Sequence, residues 1–161
     1  MTCHVFRYGV RVASRWLTAD QQRIWRNYLA LTGRLQAEMN RQLQSRCGLS
    51  LSDYEVLVVL SERGALRVLE LAAELGWEQS RLSHQLARMR ARGLITRQDS
   101  AQDRRGATVD ITARGGDALA TAAPDHVALV RSVLFESPTA AQLRGFDAVI
   151  SAALDRLDGS D

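Results

Sequence analysis

The sequence predicts a mostly α-helical chain with one small β-hairpin, on three observations. Apolar residues recur at helical spacing over most of the length, as in Ile24, Tyr28, Leu31, Leu35 and Met39. Two short helical patterns stand either side of a glycine: Val68-Leu69-Glu70-Leu71-Ala72-Ala73-Glu74-Leu75 ends at Gly76, and Glu78 to Met89 follows, stopped by Gly93. Two β-branched runs, Leu94-Ile95-Thr96-Arg97 and Ala107-Thr108-Val109-Asp110-Ile111, then flank a polar loop from Gln98 to Gly106. Helix, turn, helix and hairpin in that order make a winged helix-turn-helix, with further helices at either end of the chain.

In chain order, residues 1–17 set Arg7, Arg11 and Arg15 among Phe6, Val10, Val12 and Trp16, a basic and weakly amphipathic extension. A disordered tail is the first expectation there, ahead of a contact arm or part of a dimer surface. Thr18-Ala19-Asp20-Gln21 has capping-box form and opens a long helix to about Arg46, so residues 18–50 form an N-terminal helical segment. A second box, Ser52-Asp53-Tyr54-Glu55, starts Val56-Leu57-Val58-Val59-Leu60, a run too continuous for a surface helix. It is expected at the centre of a winged lobe spanning 51–112. Thr112 caps a helix from Ala113 that Pro124 is expected to interrupt or kink, because proline lacks the amide donor and crowds the preceding turn. Ser137-Pro138 reads as cap and first position of a last helix carrying Leu143, Phe146, Val149, Ile150, Ala153, Leu154 and Leu157. Those apolar residues exceed what a loosely lying helix would bury. Residues 18–50 and 113–161 are therefore expected to supply dimerisation helices that pack against a second copy.

The helix around Glu78 to Met89 has two faces. Leu82, Leu86 and Met89 stack on one side, toward a core. Arg81, Gln85, Arg88 and Arg92 form a second stripe, and Ser80, His84 and the small Ala87 lie beyond it, so the side away from the core carries donors and little bulk. That is what a helix needs to enter the major groove of a duplex.

All 21 basic side chains are arginine, which codon usage in a GC-rich genome explains without reference to function. Their distribution says more. Between Trp77 and Gly106 seven arginines face three carboxylates, a local +4, whereas from Asp117 to Asp161 three arginines face seven carboxylates, a local −4. Positive charge thus gathers on the two short helices and the hairpin, the footprint of a polyanion binder.

Other classes are excluded by what the chain lacks. No run approaches the roughly 18 apolar residues of a membrane span, and no secretory signal pattern opens the sequence, which reads as cytoplasmic. Cys3 and Cys47 are too few for a disulfide framework and too isolated for zinc. Ser83 and His84 are helix neighbours and point about 100° apart, so they form no proton-sharing pair. Gly115-Gly116 lacks the lysine and hydroxyl of a phosphate loop. Neither an enzyme nor a cofactor or metal is expected.

On Glu70-Leu71-Ala72, Ser80-Arg81-Leu82-Ser83 with Leu86 and Met89, Arg92-Gly93-Leu94-Ile95, and Asp103-Arg104-Arg105 leading to Ile111-Thr112, the sequence resembles the MarR family of bacterial transcriptional regulators. The order of elements matches over about residues 18–158, and the specific motifs lie within about 52–116. The resemblance implies a homodimeric repressor on a pseudo-palindromic operator in double-stranded DNA. Ser80, Arg81, Ser83, His84 and Gln85 are the candidates for base or phosphate contact, with Arg81 best placed for guanine and Arg88 for phosphate. Arg97 and Arg104 join the candidate DNA contacts from the wing. By resemblance Asp103 positions the wing and Arg105 enters the minor groove.

A small aromatic anionic effector is also implied, with Trp25, Arg26 and Tyr28 as candidate lining residues whose alternative is dimer packing. Some relatives sense oxidants through a thiol. Cys47, beside Arg46, is the redox candidate here, against a plain role at a helix end. A redox-responsive regulator and a winged-helix adaptor that binds protein without DNA are the alternatives.

Overall fold

The computed structural model describes residues 16–98 and 107–159, in six helices and three strands. The long first helix, α1 (Ala19–Cys47), begins as its box predicts: the Thr18 amide donates to Gln21 Oε1 at 2.9 Å and the Gln21 amide to Thr18 Oγ1 at 3.2 Å. It ends at Gly48, whose φ of 63° suits a residue without a β-carbon. The chain divides at Gln36 into two compact units. In the first, the helix exposes Ile24, Trp25, Tyr28 and Leu29, and the Trp25 and Tyr28 rings stack with centroids 5.6 Å apart. The basic extension lies outside the described residues up to Arg15.

The second unit, from Ala37 onward, holds the core. Its centre is α2 (Leu51–Arg63), which packs against three further helices, α3 (Val68–Leu75), α4 (Gln79–Ala91) and α5 (Ala113–Leu134), and against strand β3 (Thr108–Ile111). Val56, Leu57 and Leu60 are buried in it among Leu71, Leu82, Leu86, Met89 and Val109. Each such side chain contributes on the order of 1.5–3 kcal/mol by leaving water. The capping box of α2 is Ser50 with Asp53, where the sequence suggested Ser52 with Glu55. Both pairs have the same spacing. Starting at Ser50 gives the helix the turn that lets Asp53 point inward, which the sequence pattern alone does not distinguish.

Strands β2 (Ile95–Gln98) and β3 pair antiparallel with Ile95 opposite Ile111 and Gln98 opposite Thr108, the expected hairpin. A two-residue strand, β1 (Leu66–Arg67), adds to the other edge of β3 and gives the order β1-β3-β2. Two residues carry no periodicity, so nothing in the sequence announced it.

Two expectations about the C-terminal helices are corrected. Pro124 lies inside α5, which runs unbroken for 22 residues. The helix tolerates it because the carbonyl left without a donor belongs to Ala120, on an exposed position where water can reach it. The last helix, α6 (Ala140–Asp158), is capped by Thr139 and Gln142 instead of Ser137, so Pro138 precedes the cap. No residue of α6 is buried, and Phe146, Val149, Leu154 and Leu157 are exposed.

Two local features join these elements. Thr112 caps α5 as expected, accepting the Gly115 amide at 3.0 Å, and its own amide donates to the Leu94 carbonyl at 3.1 Å. A β-carbon on Gly115 would fall on that same carbonyl oxygen and stand 3.0 Å from Ile111 Cγ1, whereas one on Gly116 meets nothing within 4 Å. At the junction of α1, α2 and α5, the His126 ring lies 4.3 Å from the Tyr54 ring, Gln42 Nε2 donates to the Asp125 carbonyl, and Arg46 pairs with Asp125 at 3.3 Å. His126 Nδ1 has no hydrogen-bond partner among the described residues, and burial lowers its pKa below the ordinary value.

Gly115→Ala is expected to cost on the order of 1–3 kcal/mol, since the atom in the way is backbone, while Gly116→Ala stabilises the helix by up to about 1 kcal/mol. Urea unfolding of the two variants separates them. Below about pH 6.5 an unfolded imidazole takes up a proton that folded His126 resists, so the unfolded state binds more protons and acidification favours it. Stability is therefore complete above that value and falls as the pH drops toward the folded pKa. In His126→Phe, which keeps a ring against Tyr54, this part of the melting-temperature slope disappears.

Candidate nucleic-acid interface

The interface is built on α4, and the packing of its inner face decides what the outer face can do. Leu82, Leu86 and Met89 are buried against α2 and α3, as their spacing predicts. Gly76, at φ 61°, turns the chain between the two helices, with its amide returned to the Ala72 and Ala73 carbonyls. What remains exposed on α4 is Gln79, Ser80, Arg81, His84, Ala87, Arg88, Arg90 and Ala91, while Ser83 is half-buried. Ser80, His84, Ala87 and Ala91 recur at i, i+4, i+7 and i+11, a strip of small or polar residues down the outer face. Small side chains there allow close approach of another surface.

Arg81 stands at the N-terminal end of this face with its guanidinium carbon 4.1 Å above the centre of the Trp77 ring. The planar cation over an aromatic face is attracted by the ring quadrupole, which narrows the positions that the long side chain visits. Glu55, on α2, feels the same arginine: burial raises the Glu55 carboxyl above its ordinary pKa, and the charge of Arg81 pulls it partly back. Trp77 was not among the residues that the sequence singled out. Its position one residue after the turn glycine is the only signal it gives.

Gln85, placed by helical spacing on the polar stripe, instead turns inward, while Arg92 stays exposed and reaches the buried Asp53 with its guanidinium. Gln85 is 3% exposed, and its Nε2 donates to Asp53 Oδ1 at 2.6 Å, so it is not available to a groove. The error has a plain cause: a buried carboxylate on α2 gives that face of α4 a polar partner, which binary patterning cannot foresee. Arg92 Nη1 donates to Asp53 Oδ2 at 2.7 Å and its Nη2 reaches the Gly48 carbonyl. Asp53, 1% exposed, also accepts the Ser50 amide at 2.7 Å. Arg88 lies exposed beside this network and donates to Gln85 Oε1.

The hairpin adds Arg97, exposed on β2. Asp103, Arg104 and Arg105 lie outside the described residues. The other candidates lie on α1. Trp25, Arg26 and Tyr28 sit on the first half of α1, where Arg26 Nε donates to the Gln22 carbonyl at 3.3 Å. Cys47 is a half-buried free thiol packed against the core cluster.

Known proteins share both the motif and the wider architecture. A MarR family model matches residues 49–106, from the end of α1 to the wing. Sco3205, a MarR family transcriptional regulator from Streptomyces coelicolor solved in complex with DNA, is 36% identical over 91% of this chain and 93% of its own, with a TM-score of 0.85. The chain belongs to the MarR family. AbsC, another MarR family transcriptional regulator from Streptomyces coelicolor, is 34% identical over 91% of this chain and 100% of its own, with a TM-score of 0.84. The Mycobacterium tuberculosis transcriptional regulator MosR, solved in complex with DNA, is 26% identical over 83% and 96%, with a TM-score of 0.66. No curated protein sequence matches the chain. The likeness to the first two covers the helices at both ends as well as the lobe, so the whole described architecture is that of a MarR family winged helix-turn-helix. No helix is long and apolar enough among the described residues to cross a membrane.

Proposed function

We propose that this MarR family member binds double-stranded DNA sequence-specifically as a homodimer and acts as a ligand-responsive repressor on a pseudo-palindromic operator. The observation that carries the reading is the division of α4: an apolar face buried in the lobe, and an outer strip of Ser80, His84, Ala87 and Ala91 flanked by Arg81 and Arg88. A helix of that cross-section fits the major groove, and the 36% identical Sco3205 was solved on DNA. Arg81 is the residue for a bidentate contact to guanine, Arg88 the one for phosphate, and Ser80, Ser83 and His84 complete the contact set. Arg97 adds charge from the wing, and Asp103, Arg104 and Arg105 carry the minor-groove part of the reading on sequence alone.

The dimer is supported by the apolar side chains that α6 leaves exposed and, separately, by those on the first half of α1. Two-fold symmetry then puts the half-sites about one helical turn, roughly 10 bp, apart. The half-exposed stack of Trp25 and Tyr28, with Arg26 beside it in sequence, supports an aromatic anion as the effector.

Fluorescence anisotropy on duplexes from the DNA beside the coding region tests the reading. One duplex is expected to bind in preference to the rest near physiological salt. Arg81→Ala is expected to cost on the order of 1–3 kcal/mol of that affinity and to relax preference at one base pair. An equal loss on every sequence would make Arg81 a backbone contact, and absence of DNA binding by the unaltered protein would remove the proposal.

A further inference from the structure

The buried carboxylate of Asp53 carries an inference that rests on the DNA-binding reading above and deepens it. Three donors converge on its two oxygens: the Ser50 amide and Arg92 Nη1 on Oδ2, and Gln85 Nε2 on Oδ1. An ionised carboxylate only accepts, so it satisfies all three. The consequence travels one residue further. Because Gln85 must turn its amino group toward Asp53, its carbonyl oxygen faces the other way, and there it accepts the hydrogen bond of Arg88. The orientation of one buried amide is thus set by a charge on α2, and that amide holds an exposed arginine on the outer half of α4.

We propose that Asp53 is a positioning residue for DNA binding: through Gln85 it fixes the Arg88 guanidinium where it meets a phosphate. Asp53 touches no DNA itself. Its replacement by asparagine has a specific result. The new side chain keeps its one oxygen for Arg92 and the Ser50 amide and presents its amino group to Gln85. Gln85 answers by rotating its own oxygen inward, which leaves its amino group against the Arg88 guanidinium, donor against donor. Gln85→Glu in the same chain repairs this, because a carboxylate at position 85 accepts from the asparagine amino group on one side and from Arg88 on the other.

The test is the salt dependence of binding to a single random-sequence duplex, followed by anisotropy for the full-length protein, Asp53→Asn, and the Asp53→Asn/Gln85→Glu double variant. Each phosphate neutralised contributes about 0.9 to the slope of log affinity against log salt. Asp53→Asn is expected to lower the slope by about one and the double variant to restore it. Loss of fold alone would lower the competent fraction without changing the slope. An unchanged slope in folded Asp53→Asn overturns the proposal, as does a lowered slope that the double variant fails to restore. If Asp53→Asn does not fold, Gln85→Met takes its place, since it severs the same relay while filling the same space, and an unchanged slope there also overturns the proposal. Failure of the unaltered protein to bind any duplex would instead overturn the DNA-binding reading, and this inference with it, before any variant is made.

Discussion

The docking of α4 on α2 is the constraint on which the rest of the structure depends, and it has an apolar part and a polar part. Leu82, Leu86 and Met89 supply the first, buried in one cluster with Leu57, Leu60 and Leu71. The second is Asp53 with Gln85 and Arg92, a buried charge that is tolerated because every donor it meets is matched. Apolar contacts alone allow a helix to roll or slide by small amounts at little cost. Directional bonds from one carboxylate to position 85 in α4 and position 92 just past its end, two turns apart, resist both motions. The outer face of α4 is the complement of this docking, and its composition follows from which residues the inside has claimed.

The same logic explains how the wing is attached. The Leu94 carbonyl receives the Thr112 amide at one side and the bare Cα of Gly115 at the other, so the strand leading out of α4 and the helix leaving β3 meet with no side chain between them. The lobe is closed where the hairpin begins, and β2 and β3 leave from a fixed base. At the N-terminal end of α2, the Leu51 amide donates to Asn40 Oδ1 on α1, and Arg92 reaches back from the end of α4 to the carbonyl of Gly48. Both α2 and α4 therefore lean on the C-terminal part of α1 and the turn after it as well as on the core.

Much of this was legible in the residues, and what was not has identifiable causes. Period and punctuation gave both short helices, the hairpin and the burial of α2, because Gly76, Gly93 and the β-branched runs are local signals with local meaning. The caps of α2 and α6 were misplaced by two residues because two hydroxyl residues competed in each case, and tertiary packing chose between them. Pro124 was expected to interrupt or kink α5, and it does not interrupt it, since one lost hydrogen bond on an exposed face costs less than ending the helix. The exposure of the candidate face was legible in Ser80, Arg81, His84 and Arg88 on α4. It was misread at Gln85, where the deciding partner lies 32 residues away, and Trp77 beneath Arg81 was missed for want of any pattern. Helical spacing identifies which residues share a face of α4, but only the neighbouring elements decide which stripe is outside.

Amide hydrogen exchange of the protein with and without a duplex that it binds tests most directly the claim that the outer face of α4 is the working surface. The account predicts added protection in α4 and in the strands β2 and β3 at their wing ends, with the exposed stretch of α6 unaffected by DNA. Protection confined to the acidic C-terminal helices, with α4 unchanged, would contradict it.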